Sequence, residues 1–467
     1  MTLDTLGAGG PPCATGPAAG AGDLSGIGRG FGAFVARAKA AGRLVVQPRM
    51  GMGSPRLMRE GLLATRRADA TTVGTITIDS YTRVGNHAAA RRALADGIDL
   101  NGYPIVGHDT AVTRAVLHGV QDDSFPVQVR HGSATPQQIF AALVAAGLDA
   151  TEGGPVSYCL PYSRTPLRES VANWVQCCEL LATLAQTGAE PHLETFGGCM
   201  MGQLCPPGLL VAISVLEAMF FRQHGVRSIS LSYAQQTDPE QDAEAVRALQ
   251  RLAAELLPDT DRHVVIYTYM GLYPRTPAGA RDLLVAAARL AVRCGAERLI
   301  VKTEAEAHRI PTIAENVAAL ELAAATAAGE PRGGGPVGDT GVYAEARALV
   351  QAVLELDADL GRALVRAFDR GYLDVPYCLH PDNAGRSRSY IDSAGRLRWA
   401  EIGAMPIGHV VGASRPRRVT AADLLGALSH VESKYDRAAL GRPAAAHLPA
   451  HDRVRCADGG EMAEHDD

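Results

Sequence analysis

Residues 44–51 read LVVQPRMG, a short run of branched apolar residues that delivers Arg49 and stops at Gly51. Two later stretches repeat the arrangement: TITIDSYTR at 75–83 brings Arg83, and FPVQVRHGS at 125–133 brings Arg130. Each run has the length and composition of a strand in a parallel barrel, and each places its arginine where the strand gives out. In a (β/α)8 barrel the active site is built at the C-terminal ends of the strands. Three guanidinium forks converging there would grip a small molecule with more than one carboxylate, because the planar fork matches a carboxylate bidentately. Taken singly, each arginine reads as a structural ion pair on the rim. At matching positions on three runs, they read as a substrate claw.

Outward from these runs, β-like segments alternate with helical patterns. The β-like segments are 44–49, 72–79, 103–106, 126–130, 149–152, 192–195, 228–232, 263–268 and 298–302. Between them lie Ala-, Leu- and Arg-rich helical stretches such as 136–146, 167–186, 239–256 and 276–294. Strand–helix alternation at this rhythm means parallel βαβ units. The expected fold is α/β: a TIM (β/α)8 barrel with a C-terminal extension that is α-rich and irregular. One β-like segment is surplus to the eight places and is expected to be an insertion or cap. The expected organisation is a flexible Gly/Ala-rich tail over 1–33, the barrel over 34–328, a Gly/Pro linker over 329–341, the extension over 342–440 and a disordered tail over 441–467.

Composition narrows the function classes. A chain of 467 residues is long enough for a barrel of roughly 250 residues with extensions. A formal charge of −5 argues against nucleic acid or an anionic membrane as the main partner. The nine cysteines show no C-x-x-C pair or zinc-ligand spacing, so reduced thiols in a cytoplasmic protein, with no metal bound by the chain, are expected. No secretory signal is visible, and the apolar stretch 209–221 carries Glu217 and is too short to span a bilayer.

The segment 152–162, EGGPVSYCLPY, adds chemistry to the claw. Glu152 closes a β-like run, and the glycine turn after it presents Tyr158 and Tyr162. With the arginines this makes a pocket for an amino-dicarboxylate, Glu152 taking the ammonium. A glycine-rich connection with two packed tyrosines is the competing reading. Glu194, in HLETFGG, ends another run and could handle a proton. Lys302 and Glu306 end the last run, where they could meet a ligand's hydroxyls or simply bridge a helical turn. There is no H-E-x-x-H, no G-x-S-x-G, no Walker loop and no dinucleotide fingerprint. The pocket has binders but no nucleophile, which fits a cofactor brought from elsewhere.

The ordered blocks QPRMG, TIDSYTR, LNGYP, RHGS, EGGPVSY…PY, ETFGG…PP, YMGLYP, VKT…E…IPT and PDNAG, from about 43 to about 406, resemble the large (epsilon) subunit of adenosylcobalamin-dependent glutamate mutase, also called methylaspartate mutase. The resemblance implies a barrel that interconverts L-glutamate and threo-3-methylaspartate by radical rearrangement of the carbon skeleton. By the same resemblance, Arg49, Arg83, Arg130, His131, Glu152, Tyr158 and Tyr162 hold the substrate, with Glu152, Glu194 and Tyr162 the candidates for the chemistry itself. Gly51, Asn101, Pro161, Tyr273, Lys302, Glu306 and Ile310 fall where the family touches the coenzyme.

Such mutases ligate cobalt through a histidine in an Asp-x-His-x-x-Gly loop, and none of the 14 histidines here sits in that pattern. The implied partner is a small cobalamin-binding subunit carrying that loop, with two large subunits forming a dimer inside a heterotetramer. The chain departs from the family's pattern in several places. Pro155 interrupts the glycine run, YTY at 267–269 replaces a segment with a His and a Trp, and Thr195 and Gly198 stand where the family has prolines. These changes leave open a paralogous mutase acting on another amino- or keto-dicarboxylate in a biosynthetic pathway. A non-catalytic barrel that binds an acidic ligand, and a cofactor-free lyase with Glu194 as base, are the alternatives from other classes.

Overall fold

The computed structural model describes residues 30–200, 204–332, 338–411 and 418–441. The tails read at 1–33 and 441–467 therefore fall almost wholly outside the described residues, as does part of the 329–341 linker.

Eight parallel strands form one sheet: β1 (Val45–Gln47), β2 (Gly74–Thr77), β3 (Val127–Arg130), β4 (Ala150–Gly153), β5 (His192–Thr195), β6 (Ser228–Ala234), β7 (Asp261–Tyr267) and β8 (Arg298–Ile300). The order runs β1-β8-β7-β6-β5-β4-β3-β2. The first strand pairs with the last in the register Val45↔Arg298. A single parallel bridge, Val46↔Thr72, joins β1 to β2 and brings the sheet round into a nearly closed TIM barrel. The surplus run at 103–106 is not a strand; it touches the barrel only at the bridge Ile78↔Tyr103 and prolongs the rim above β2. Pro104 follows immediately, and a proline cannot donate to a ladder.

The strands alternate with the two-residue period of a pleated chain. Val46, Ile76, Val127, Val129, Leu193, Ile229, Leu231, Val264, Ile266 and Leu299 face the surrounding helices and are buried there. Many of the alternate positions meet inside the barrel as polar residues. Gln47 donates to Thr75 Oγ1 at 2.9 Å and to Gln128 Oε1 at 2.8 Å. Arg298 donates to Glu194 and Gln47, and to Ser230 Oγ at 2.9 Å. Below this layer His192 stacks on His263, with ring centroids 5.1 Å apart, and Phe31 stacks on His192 at 4.8 Å. Phe31 opens the helix Phe31–Ala40, whose Val35 and Ala38 pack with Val45, Val73 and Ala150. That helix plugs the N-terminal end, so among the described residues the barrel opens at the C-terminal end of the strands.

The outer helices start where the sequence provides caps. Ser54 accepts from Leu57 N before the helix Pro55–Arg67, and Thr312 with Glu315 forms a capping box before Ile313–Gly329. The helix Pro207–Gln223 is apolar almost all round because it is covered on both sides. The barrel lies inside it, and the helices Val342–Leu354 and Leu360–Asp369 of the extension pack outside. The extension opens with these two helices, separated between Glu355 and Asp359. The segment read as irregular ends in the hairpin strand β9 (Arg388–Ile391), antiparallel to β10 (Leu397–Glu401). No helix among the described residues is long and apolar enough to cross a membrane.

Gly153 shows how tightly the mouth is packed. It sits at φ 134°, and a Cβ there would come within 2.4 Å of Trp174 and 2.5 Å of Tyr158. Gly153→Ala combines backbone strain with overpacking, so the expected loss of stability is roughly 2–4 kcal/mol. Chemical denaturation of the variant checks this; an unchanged midpoint would mean the wall can yield.

Candidate active site

The three arginines do come together. Arg49, Arg83 and Arg130 line a single cavity of ≈ 250 Å³ at the barrel mouth, with Thr77, Ile78, Ser80, Asn101, His131, Gly132, Glu152, Tyr158, Tyr162, Phe196 and Met270. They arrive by different routes. Arg130 is the last residue of β3, while Arg49 lies two residues beyond β1. Arg83 is not at a strand end: β2 stops at Thr77, and Asp79 caps the one-turn helix Ser80–Arg83 by accepting from Tyr81 N at 2.9 Å and Thr82 N at 3.0 Å. That turn folds Arg83 back over Gly132, whose φ of +67° lets the side chain pass 3.2 Å from the position a Cβ would take.

The arginines also differ in what already holds them. Arg130 is buried, and its Nε donates to Glu152 Oε2 at 2.7 Å. Its guanidinium lies 5.1 Å over the Tyr267 ring. Arg49 is half-buried and paired with Glu306 at 2.7 Å. Arg83 is exposed, and its side chain makes no hydrogen bond or ion pair among the described residues. One fork of the three is therefore wholly uncommitted.

Glu152 is engaged at both oxygens. It accepts from Arg130, from the Tyr158 hydroxyl and, at 2.7 Å, from the Tyr267 hydroxyl. Next to it His131 is enclosed by Tyr158, Trp174 and Phe140. Its Nδ1 accepts from Ser133 N at 3.2 Å, which puts the ring proton on Nε2, and Nε2 is buried with no partner. Burial, with the Arg130 charge adding, lowers the His131 pKa to about 3, so the ring is neutral. Tyr162 stands at the entrance, 45 % exposed.

Glu194 is elsewhere than the sequence places it. It pairs in register with Glu152 across β4 and β5, yet it does not line the cavity. It lies in the barrel interior, bound by Arg298, by Ser230 Oγ at 3.0 Å and by Gln128 Nε2 at 3.3 Å. Being at a strand end was the wrong guide, because β5 turns into the Gly197–Cys199 turn just above and closes over it.

On the other side of Arg49, Glu306 also pairs with Lys302 at 3.2 Å. Lys302 is 6 % exposed and sits 4.9 Å over the Tyr273 ring. Burial lowers the Lys302 pKa to about 8, against the pull of Glu306. The Tyr273 hydroxyl is buried and has no partner. Asn101 lines the cavity with Oδ1 committed to Ser80 N at 3.0 Å, leaving its amide N–H free to a ligand. Gly51 cannot be larger, since a Cβ would meet Thr77 O at 2.0 Å. Ile310 is 58 % exposed, and Pro161 flanks Tyr162 in a neighbouring depression, so neither lines the cavity itself.

The methylaspartate mutase E chain family profile matches residues 28–422. The chain belongs to that family. Membership makes it an isomerase of the mutase class. Curated relatives named glutamate mutase epsilon subunit include those of Halobacterium salinarum, 33 % identical over 394 residues and 80 % of each chain, and Escherichia coli O157:H7, 30 % identical over 394 residues and 81 % of each chain. The subunit of Desulfitobacterium hafniense is 30 % identical over 402 residues and 82 % of each chain. A solved HMG-CoA lyase from Brucella melitensis superposes with TM-score 0.35 at 14 % identity, covering 66 % of this chain and 99 % of that one.

Some of this mutase-family site escaped the sequence reading. Tyr267 bridges Glu152 and Glu194, although YTY stands out only as a departure from the family's pattern. Glu217 is a second omission. Its Oε1 accepts from Val156 N at 3.2 Å and Ser157 N at 2.8 Å, and its Oε2 from Ser157 Oγ at 2.9 Å, so it pins the loop that presents Tyr158. A lone carboxylate in an otherwise apolar run was the signal.

Burial pushes the Glu217 pKa up to about 7, against those donors. A carboxyl raised from an ordinary value of about 4.5 favours the folded state below that value, and the benefit is lost as pH rises through about 7. Glu217→Gln mimics the protonated form. Its stability relative to the unmodified protein is expected to improve between about pH 5 and about pH 8. Paired denaturation curves at the two pH values test this, and a constant difference would place the ionisation outside the window.

Proposed function

We propose that this chain is the substrate-binding, catalytic subunit of a coenzyme B12-dependent radical mutase that interconverts L-glutamate and threo-3-methyl-L-aspartate. The observation that carries the reading is the cavity with three arginine forks, one of them uncommitted, beside a carboxylate and two tyrosines. An amino-dicarboxylate answers each feature. Arg83 and Arg49 take one carboxylate group each or share one, the free N–H groups of Arg130 and His131 Nε2–H serve the other, and Glu152 with Tyr158 and Tyr162 faces the ammonium. The close relatives' printed names support the same substrate.

The residues on the far side of Arg49 fit the nucleoside end of adenosylcobalamin. Lys302 and Glu306 provide a donor and an acceptor for ribose hydroxyls, and the unpartnered Tyr273 hydroxyl waits beside them. Asn101, Gly51, Pro161 and Ile310 complete that surface. When bound, the coenzyme supplies a carbon radical by homolysis of its cobalt–carbon bond, which exchanges a hydrogen atom with the substrate. The chain's own task is to hold the substrate rigidly, exclude water and keep the reacting carbon aligned. A small subunit with an Asp-x-His-x-x-Gly loop would hold the cobalt, in a heterotetramer built on a dimer of this chain in the cytoplasm.

Reconstitution tests this directly. The chain, such a small subunit and adenosylcobalamin are mixed with L-glutamate, and 3-methylaspartate is followed by chromatography. Product that requires all three is expected. A folded, cobalamin-binding complex with no product would transfer the reading to another dicarboxylate. In the active complex, Arg83→Lys is expected to raise the KM for glutamate roughly 10- to 100-fold, since an ammonium cannot replace the fork. A KM within twofold of the unmodified enzyme would remove Arg83 from the claw.

Lys302→Ala is expected to weaken coenzyme retention in the isolated complex, read by cobalamin absorbance, with the unfolding temperature unchanged. Because the Lys302 pKa is lowered to about 8, retention by the unmodified complex should fall as pH rises through about 8. The variant should show no such step. A shared step would assign the titration to another group.

A further inference from the structure

The last helix among the described residues, His430–Leu440, begins beyond residue 422, where the match to the family profile ends. Its sequence, HVESKYDRAAL, carries two side-chain pairs at helical spacing, Val431 with Tyr435 and Glu432 with Asp436. Val431 is buried and Tyr435 packs beside it, in a cluster with Tyr269, Tyr273, Ala280 and Leu283. A helix of 11 residues is marginal alone in water, so its docking on the barrel is what maintains it.

The polar pair reaches the connection over 268–276, between β7 and the helix Pro277–Cys294. Asp436 accepts three hydrogen bonds there, from Arg275 N at 2.9 Å, Thr276 N at 3.0 Å and Thr276 Oγ1 at 2.6 Å. With its hydrogen given to Asp436, the Thr276 hydroxyl oxygen accepts from Gly279 N at 3.1 Å and caps the helix. A carboxylate on backbone N–H groups at a helix N-terminus makes charge-assisted bonds that the helix dipole favours. Glu432 pairs with Arg275 at 2.8 Å, but that arginine is exposed and such a pair contributes little. On its other side the connection is tied to the segment that carries Glu306, because His308 Nε2 donates to Arg275 O at 3.0 Å.

This clamp sits three residues from Tyr273, whose ring covers Lys302 at 4.9 Å. The Tyr273 hydroxyl is buried and unpartnered, so the backbone that carries the ring and the packing around it decide where it stands. We propose that Asp436 is a positioning residue: it fixes the backbone at Arg275 and Thr276 and so holds Tyr273 over Lys302, on the reading above that Lys302 meets the coenzyme. Asp436 does not line the arginine cavity, so its effect runs through the connection.

Lysine labelling reads this arrangement without turnover. In the full chain, the rate at which acetic anhydride acetylates Lys302, followed by mass spectrometry, reports how well Tyr273 covers it. Asp436→Ala should raise that rate about 10-fold through local opening, with the near-ultraviolet circular dichroism retained. Asp436→Asn, which keeps an acceptor for Thr276, should fall between. Gly279→Ala gives an independent variant, because its Cβ would come 2.9 Å from Asp436 Oδ1 and 2.8 Å from Thr276 Oγ1. It displaces the carboxylate while favouring the helix itself, and should raise the labelling in the same direction. Arg437→Ala, on the exposed side of the same helix, should leave the rate unchanged. Unaltered labelling in folded Asp436→Ala and Gly279→Ala, or an equal rise in Arg437→Ala, would overturn the positioning role. Should Asp436→Ala not fold, Asp436→Asn and Gly279→Ala decide it.

In the reconstituted complex, Asp436→Ala should weaken adenosylcobalamin retention about 10-fold while the KM for L-glutamate changes by less than about twofold. Retention weakened by Lys302→Ala but not by Asp436→Ala would refute the link from Asp436 to the coenzyme. Retention indifferent to both variants would instead refute Lys302 as a coenzyme contact, and the labelling result then decides what Asp436 holds.

Discussion

A guanidinium on the barrel axis with no access to water, Arg298, constrains everything above it. Its side chain is fully buried against Glu194, which is equally buried. Breaking such a pair by removing one partner typically costs about 3–5 kcal/mol, because the charge left behind has no solvent to turn to. Arg298 also claims Gln47, Gln128 and Ser230, and stacks on Phe31. That demand explains why Gln47 and the inward positions of β3, β5 and β6 are polar, where parallel strands buried on both faces are usually near-continuously apolar. Glu194, fixed from below by Arg298, holds Tyr267 from beneath. Tyr267 and Arg130 then hold Glu152 at the mouth. Charge compensation on the axis thus propagates to the rim through side chains that touch.

The parts of this arrangement legible in the sequence were those encoded locally. Strand–helix alternation is a property of neighbouring residues, and the eight strands and the helices read at 136–146, 167–186, 239–256 and 276–294 form close to where the pattern puts them. The convergence of the arginines was legible for the same reason: Arg130 ends β3, and Arg49 lies two residues beyond β1. Arg83 reaches the same cavity although its strand ends earlier, because Asp79 starts a helical turn that redirects the chain. The false strand at 103–106 was apolar enough for a strand, but Pro104 cannot donate to a ladder and pairing stops at the bridge Ile78↔Tyr103.

What sequence did not show are contacts made across the barrel. Glu194 looks like a rim carboxylate until Arg298, more than a hundred positions away, is seen to hold it. Tyr267 looks like wall until its hydroxyl is found between two carboxylates. The hairpin of β9 and β10 was hidden because its side chains bury against residues distant in sequence: Trp399 Nε1 donates to Glu345 of the helix Val342–Leu354 at 2.9 Å, and Ser389 Oγ donates to Leu204 O. Such pairings depend on closure of the barrel, and closure has no local signature.

Charge at the mouth argues for how the two halves of the site work together. Arg49, Arg83, Arg130 and Lys302 stand there against Glu152 and Glu306, a surplus of cations that an acidic ligand would neutralise. Glu306 is the hinge of this balance, since it pairs with Arg49 on the cavity side and Lys302 on the other. A ligand carboxylate that takes the Arg49 fork competes with Glu306 for it. Glu306 is then left to Lys302, which strengthens the charged form of that lysine against the burial that lowers its pKa. Occupancy of the cavity and the state of the Lys302–Glu306 pair are linked through one shared carboxylate. By thermodynamic reciprocity, whatever binds Lys302 and Glu306 also feels whether the arginine claw is filled.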